Sequence, residues 1–200
     1  MKILAIDTTS ENLVIAFCDE GKIKSYVSQE GSKKHNSLLM PAIEKLLSEN
    51  NCKIEDVDYF ACVVGPGSFT GIRIGVSTIK ALSFATGKKA VAITSFEELS
   101  YGIKEDEFYV AIDCRHNAYY FAKYKNDYTF EVDCGEIDGD ELDKKDCLVI
   151  KKSGASDPQK LIAVAKEKIA QNIFENITPY YLKKSQAERE YENKYMDKTV

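Results

Sequence analysis

Two hundred residues, 44% apolar and 30% charged, suit one compact domain or two small lobes. A formal net charge of −5 excludes a broadly basic surface, so the chain alone has little electrostatic hold on nucleic acid. No run of about 18 apolar residues is present to span a bilayer, and Met1–Asp7 is too short an apolar stretch for an export signal. The six cysteines show no C-x-x-C spacing, so reduced thiols in a cytoplasmic protein are expected.

Lys2–Asp7 reads as a strand buried on both faces, because Ile3, Leu4, Ala5 and Ile6 follow without a break. Leu13–Cys18 and Lys22–Ser28 follow as strands around a Glu20-Gly21 turn. A helix is predicted over Ser37–Glu49, with one apolar stripe of Leu39, Ala42, Ile43, Leu46 and Leu47 and with Pro41 in its first turns. Tyr59–Val64 is the next strand. A helix over Gly71–Thr86 closes on Gly87, then come a strand, Lys89–Thr94, and a short helix, Ser95–Tyr101, capped by Ser95 with Glu98 three residues on.

Crossover helices force parallel strands, so this half is α/β. Lys104–Glu107 marks the expected lobe boundary, giving units 1–103 and 104–200. The second unit restarts as a β meander: Phe108–Asp113, Ala118–Lys125, a turn at Asn126-Asp127, and Tyr128–Val132. Acidic Asp133–Asp146 reads as a solvated loop with a short helix, and Leu148–Ile150 as a short strand. Asp157-Pro158 opens a helix to about Ile169, and the tail from Pro179 reads as extended and then frayed.

The most specified stretch is Gly65-Pro66-Gly67-Ser68-Phe69-Thr70-Gly71, between a strand and a helix. Glycines reach φ > 0, Pro66 fixes its own φ, and Ser68 or Thr70 can cap the helix. It is neither a P-loop nor a dinucleotide fingerprint, so it reads as an anion loop or as a tight connection. Asp7-Thr8-Thr9-Ser10 ends the first strand, where α/β sheets place ligands, as a phosphate or Mg²⁺ loop or as a hairpin loop satisfying its own backbone; spacing favours the hairpin. In the second long helix Gly71, Gly75 and Thr78 share one side and Ala81 and Ala85 another. Arg73, Ser77, Lys80 and Phe84 fall on the remaining face, for a partner or for packing within the lobe. His35 has Leu39, not a second His, four residues on, and His116 stands apart in a turn, so no metal pair forms. Asp113–Asn117 reads as a hairpin turn, without a third group to orient Cys114 and His116 as a nucleophile and base.

Taken together, Asp7–Ser10, His35–Pro41, Gly65–Gly75, Asp113-Cys114-Arg115 and Tyr180–Lys183 resemble, in that order, the bacterial TsaB (YeaZ) family. Asn36 stands where Ser is expected and Cys114 where Ala is common, and Glu131–Gly154 matches nothing in the pattern. The resemblance implies the actin-like, sugar-kinase-like ATPase (ASKHA) fold of two β-β-β-α-β-α lobes, the second reduced. It implies a non-catalytic scaffold or activator of TsaD, the subunit that transfers threonylcarbamoyl to N6 of the adenosine next to the anticodon of tRNA. TsaE, an ATPase, is the further implied partner, with a homodimer when TsaD is absent, tRNA met only through the complex, and no cofactor of its own. The docking helices would be 37–49 and 71–86, with His35, Leu39, Ile43, Arg73, Ser77, Lys80 and Phe84 at the contact. Asp7, Thr8 and Thr9 would be a vestigial phosphate loop. The rival readings are a small ATP-dependent kinase using both loops and, more weakly, a metalloprotease.

Overall fold

The computed structural model describes residues 1–29, 31, 34–125, 130–174 and 176–183. The first sheet comprises β1 (Ile3–Asp7), β2 (Leu13–Asp19), β3 (Lys22–Ser28), β4 (Tyr59–Gly65) and β5 (Lys89–Thr94), in the order β3-β2-β1-β4-β5. The first three strands form an antiparallel meander, whereas β4 runs parallel to β1 and β5 parallel to β4. The parallel strands require the crossovers α1 (His35–Glu49) and α2 (Phe69–Thr86). The short helix α3 (Ser95–Ser100) then leads into a second sheet. It contains β6 (Glu107–Asp113), β7 (Ala118–Lys125), β8 (Phe130–Asp138) and β9 (Leu148–Lys151), in the order β8-β7-β6-β9. A short helix, α4 (Gly139–Leu142), makes the crossover that sets β9 parallel to β6, and α5 (Pro158–Ala170) follows. The second sheet therefore repeats the plan of the first with one parallel strand fewer.

Strand alternation explains the unbroken apolar run of β1. Leu4 and Ile6 face one way, into a core with Leu39, Ile43 and Leu47 of α1 and Ile72, Val76 and Ile79 of α2. Ile3 and Ala5 face the other way, onto Leu161, Ile162 and Ala165 of α5. Although α5 follows the second sheet in the chain, its apolar face lies on the first. On the second sheet, Phe108, Val110 and Ile112 pack against Phe96 and Leu99 of α3. Tyr109 and Ala111, on the opposite face, meet Leu142 of α4.

Four details differ from the sequence reading. α1 starts at His35, two residues early, without a side-chain cap at Lys34, so Pro41 sits in the second turn. α3 is capped by Thr94, whose Oγ1 accepts from Glu97 N at 3.0 Å while Glu97 Oε2 accepts from Thr94 N at 2.6 Å. Ser95 and Glu98 are thereby released from capping, and both are buried. α2 starts at Phe69 under a Ser68 cap rather than at Gly71, while Gly87 closes it at φ +68° as expected. Asp133–Asp138 is strand, not loop: it completes β8, an edge strand on which Asp133 and Asp138 face solvent and Ile137 is buried. The predicted turn at Asn126-Asp127, Tyr128 and the tail from residue 184 lie outside the described residues. No helix among the described residues is long and apolar enough to cross a membrane.

Candidate functional site

The glycine turn, the Asp7–Thr9 loop and the tail pack on one another. Ser68 N donates to Thr9 O at 2.7 Å, and Thr8 Oγ1 donates to Gly71 O at 2.7 Å. A Cβ on Gly67 would stand 2.5 Å from Thr9 O, and one on Gly75 would stand 2.5 Å from Thr8 Oγ1. A Cβ on Gly71 would overlap the Thr8 carbonyl outright. These glycines thus let α2 lie against the end of β1. Gly65, at φ +120°, leaves no room for a side chain either, because Tyr180 O lies against it, and Tyr180 N donates to Val64 O at 2.8 Å. Ser95 Oγ donates to Pro66 O at 2.8 Å and completes the cluster. The geometry supports a tight connection for the glycine turn, whereas in the Asp7–Ser10 loop only the Ser10 hydroxyl bonds within the hairpin, to Asn12, and those of Thr8 and Thr9 reach Gly71 and Ser95.

Behind this contact lies a buried charged group. Asp7 is 1% exposed; its Oδ1 accepts from Thr9 N at 2.7 Å, and its Oδ2 accepts from Lys152 Nζ at 3.1 Å and from Ser156 Oγ. Glu98 of α3, 3% exposed, accepts from Asp157 N at 3.0 Å through Oε1, and its Oε2 lies 3.9 Å from Lys152 Nζ. Burial alone would push the Asp7 carboxyl up, but the Lys152 ammonium and hydrogen bonds from Ser156 and Thr9 hold it below its ordinary 3.8. Burial, with the Asp7 charge adding to it, pushes Glu98 above its ordinary 4.5 despite Lys152 and the Asp157 amide. Lys152 pairs were not foreseen from sequence; a lysine just past an apolar strand carries no mark of its partner 145 residues away.

The two carboxylates act on stability with opposite sign. Asp7 binds its proton less readily folded than unfolded, so its contribution is present above 3.8 and lost as pH falls below it. Glu98 holds its proton to higher pH when folded, so its ionisation costs stability as pH rises above 4.5. In denaturant titrations from about pH 3 to 7, Glu98→Gln is expected to lose stability less than the parent as pH rises above 4.5. Identical pH slopes for the two proteins would refute the assignment.

The exposed side of α2 carries Arg73, Ser77, Lys80, Ala81 and Phe84, and Phe84 is 92% exposed. A groove of about 530 Å³ runs along α1, lined by Met40, Pro41, Glu44 and Leu47, by Cys52 and Ile54 of the turn that follows, and by Leu82 of α2. Arg73 is not free: its guanidinium lies 3.9 Å above the Phe69 ring, its Nε donates to Tyr181 OH at 3.0 Å, and Phe69 stacks on Tyr181 at 4.7 Å.

Residues 26–187 match the family model described as TsaD: tRNA N6-adenosine threonylcarbamoyltransferase. Curated relatives named tRNA threonylcarbamoyladenosine biosynthesis protein TsaB include that of Haemophilus influenzae, 29% identical over 62% of this chain and 53% of its own length. That of Escherichia coli is 27% identical over 64% of this chain and 56% of its own. The chain spans about half the length of these relatives. The solved structure of YeaZ from Pseudomonas aeruginosa superposes with a TM-score of 0.76 at 21% identity, over 90% of this chain and 99% of that one. The chain belongs to the TsaD family, with the TsaB/YeaZ proteins. Its two-sheet architecture is the actin-like fold expected of the TsaB/YeaZ family.

The TsaB/YeaZ resemblance placed His35, Leu39 and Ile43 at a docking contact, and the structure corrects this. The three are 1%, 1% and 2% exposed, because their i, i+4 spacing lies on the stripe that α1 buries against the sheet. His35 Nε2 sits 3.2 Å from Glu11 O. Ser77, Lys80 and Phe84 stay on the surface, and on α1 Met40, Pro41, Glu44, Lys45 and Ser48 are among the exposed residues. The metal and nucleotide expectations of the wider fold are tested by the donor sets. Among the described residues no three His, Cys, Asp or Glu side chains converge on a metal position. The Asp7–Thr9 loop does not fit a metal-bound phosphate either: both Asp7 oxygens already accept, one from an ammonium, and Thr8 and Thr9 are buried with their hydroxyls turned to Gly71 and Ser95.

Proposed function

We propose that this chain is a non-catalytic subunit in the making of threonylcarbamoyladenosine on tRNA, working by docking on a TsaD-type subunit. The observation that carries this reading is membership of the TsaB/YeaZ family together with an exposed α2 face crowned by Phe84. A monomeric soluble fold gains nothing by holding a phenylalanine almost entirely in water, whereas an anchor residue at a protein contact gains its burial there. The groove along α1, which takes in Leu82 of α2, offers further apolar surface. In this reading Lys80 and Ser77 form the polar rim, and the chain performs no chemistry of its own. TsaE joins the pair, the chain pairs with itself when the TsaD-type subunit is missing, and all work in the cytoplasm.

The test is co-purification with the TsaD-type protein of the same organism, followed by gel filtration with light scattering. A single species with the mass of a heteromeric complex is the expected result. Two independently migrating proteins would contradict the reading.

A further inference from the structure

We propose that Lys152 is a tethered cation that clamps the two sheets in one fixed arrangement. This inference does not depend on the docking reading. Lys152 directly follows β9, and its backbone N donates to Ala111 O of β6 at 2.8 Å, so it is held by the second sheet. Its ammonium reaches Asp7, the last residue of β1 in the first sheet. Glu98 lies on α3, which connects the sheets, and Ser156 lies on the segment that leads from β9 back to α5 on the first sheet. Four side chains thus bring together every route by which the chain passes between the sheets before residue 170.

The hydrogen-bond arrangement is closed. Lys152 Nζ donates to Asp7 Oδ2 and, at 2.9 Å, to Ser156 Oγ. Ser156 has one proton to give and stands between two acceptors, Asp7 Oδ2 and Glu98 Oε2, the latter at 3.4 Å. Lys160 Nζ donates to Leu99 O at 3.2 Å and ties α5 to α3 alongside. The Lys152 side chain is 8% exposed and lies at the floor of a cleft of about 740 Å³, whose walls come from both sheets, Thr9 and Gly67 on one side and Ile112 and Tyr120 on the other. Apolar packing would bury the same volume at lower cost than a buried ion pair, but an ion pair accepts only one geometry, and removing one partner leaves an uncompensated charge. The arrangement therefore specifies relative position rather than adding net stability.

The test compares hydrogen exchange at the backbone amides of Thr9 and Asp157, together with the radius of gyration in solution scattering, in three variants. Lys152→Met is expected to accelerate exchange at both amides by at least about tenfold and to enlarge the radius, while β4 and β5 stay protected. Asp7→Asn/Lys152→Met removes both charges and is expected to regain thermal stability but not slow exchange at Asp157. If Lys152→Met fails to fold, Ser156→Ala decides, because it removes one hydroxyl and no charge; a several-fold acceleration confined to these two amides supports the clamp. Parental exchange and radius in Lys152→Met or in Ser156→Ala would overturn it. Slow exchange restored in the double variant would overturn it too, by showing that charge balance alone was at stake.

Discussion

Gly71→Ala is expected to destabilise the protein by about 3 kcal/mol, the upper part of the range for overpacking a filled site. The sign is the informative part. Gly71 sits in the first turns of α2, where alanine is intrinsically favoured over glycine by about 1 kcal/mol. Against that gain, the added Cβ would overlap the Thr8 carbonyl, which is backbone at the end of a buried strand and has nowhere to move. Gly87→Ala is the comparator: nothing lies within 4 Å of its Cβ, and only the left-handed φ of +68° opposes it, at about 1 kcal/mol. Denaturant midpoints of the two variants, measured at constant m-value, separate steric from conformational cost. A Gly71→Ala protein as stable as the parent would mean that α2 does not lie against the Asp7–Thr9 loop.

Phe84→Asp is expected to weaken binding of the TsaD-type partner by at least about 100-fold, the loss typical of a central anchor at ~2.7 kcal/mol. Its folding stability should change by no more than about 0.5 kcal/mol, since the side chain is 92% exposed in the free chain. Lys80→Glu should weaken binding less and depend on salt, as rim charges do. Arg73 is a poor probe of the same face, because its substitution also removes the stack on Phe69 and the bond to Tyr181. Titration calorimetry beside thermal melts reads both quantities. Undiminished affinity in Phe84→Asp would place the contact elsewhere.

Most of the first sheet was legible because its signals are local. An unbroken apolar run marks β1, Glu20-Gly21 marks a hairpin, and Gly21 in that turn and Gly87 at the end of α2 both take positive φ, where the pattern required it. The glycine turn was equally legible as a turn, but not its purpose: only the structure places Gly67, Gly71 and Gly75 against Thr8 and Thr9, some 60 residues earlier in the chain. His35, Leu39 and Ile43 show the opposite failure. Leu39 and Ile43 were read as part of an apolar stripe and also, with His35, placed at a docking contact by the resemblance, and one helix side cannot serve for both when the sheet lies beneath it. The acids of residues 133–138 suggested a loop because an edge strand with outward charges has the composition of one. Glu98 was assigned to a cap that Glu97 makes instead, and that one-residue slip hid the buried partner of Lys152.

The measurement closest to the central proposal is a reconstituted threonylcarbamoyl transfer to tRNA with purified components, run with and without this chain. The account predicts transfer that needs the TsaD-type subunit for chemistry and falls to background when this chain is omitted, with no transfer by this chain alone. Transfer at full rate in its absence, or transfer catalysed by this chain in isolation, would contradict it.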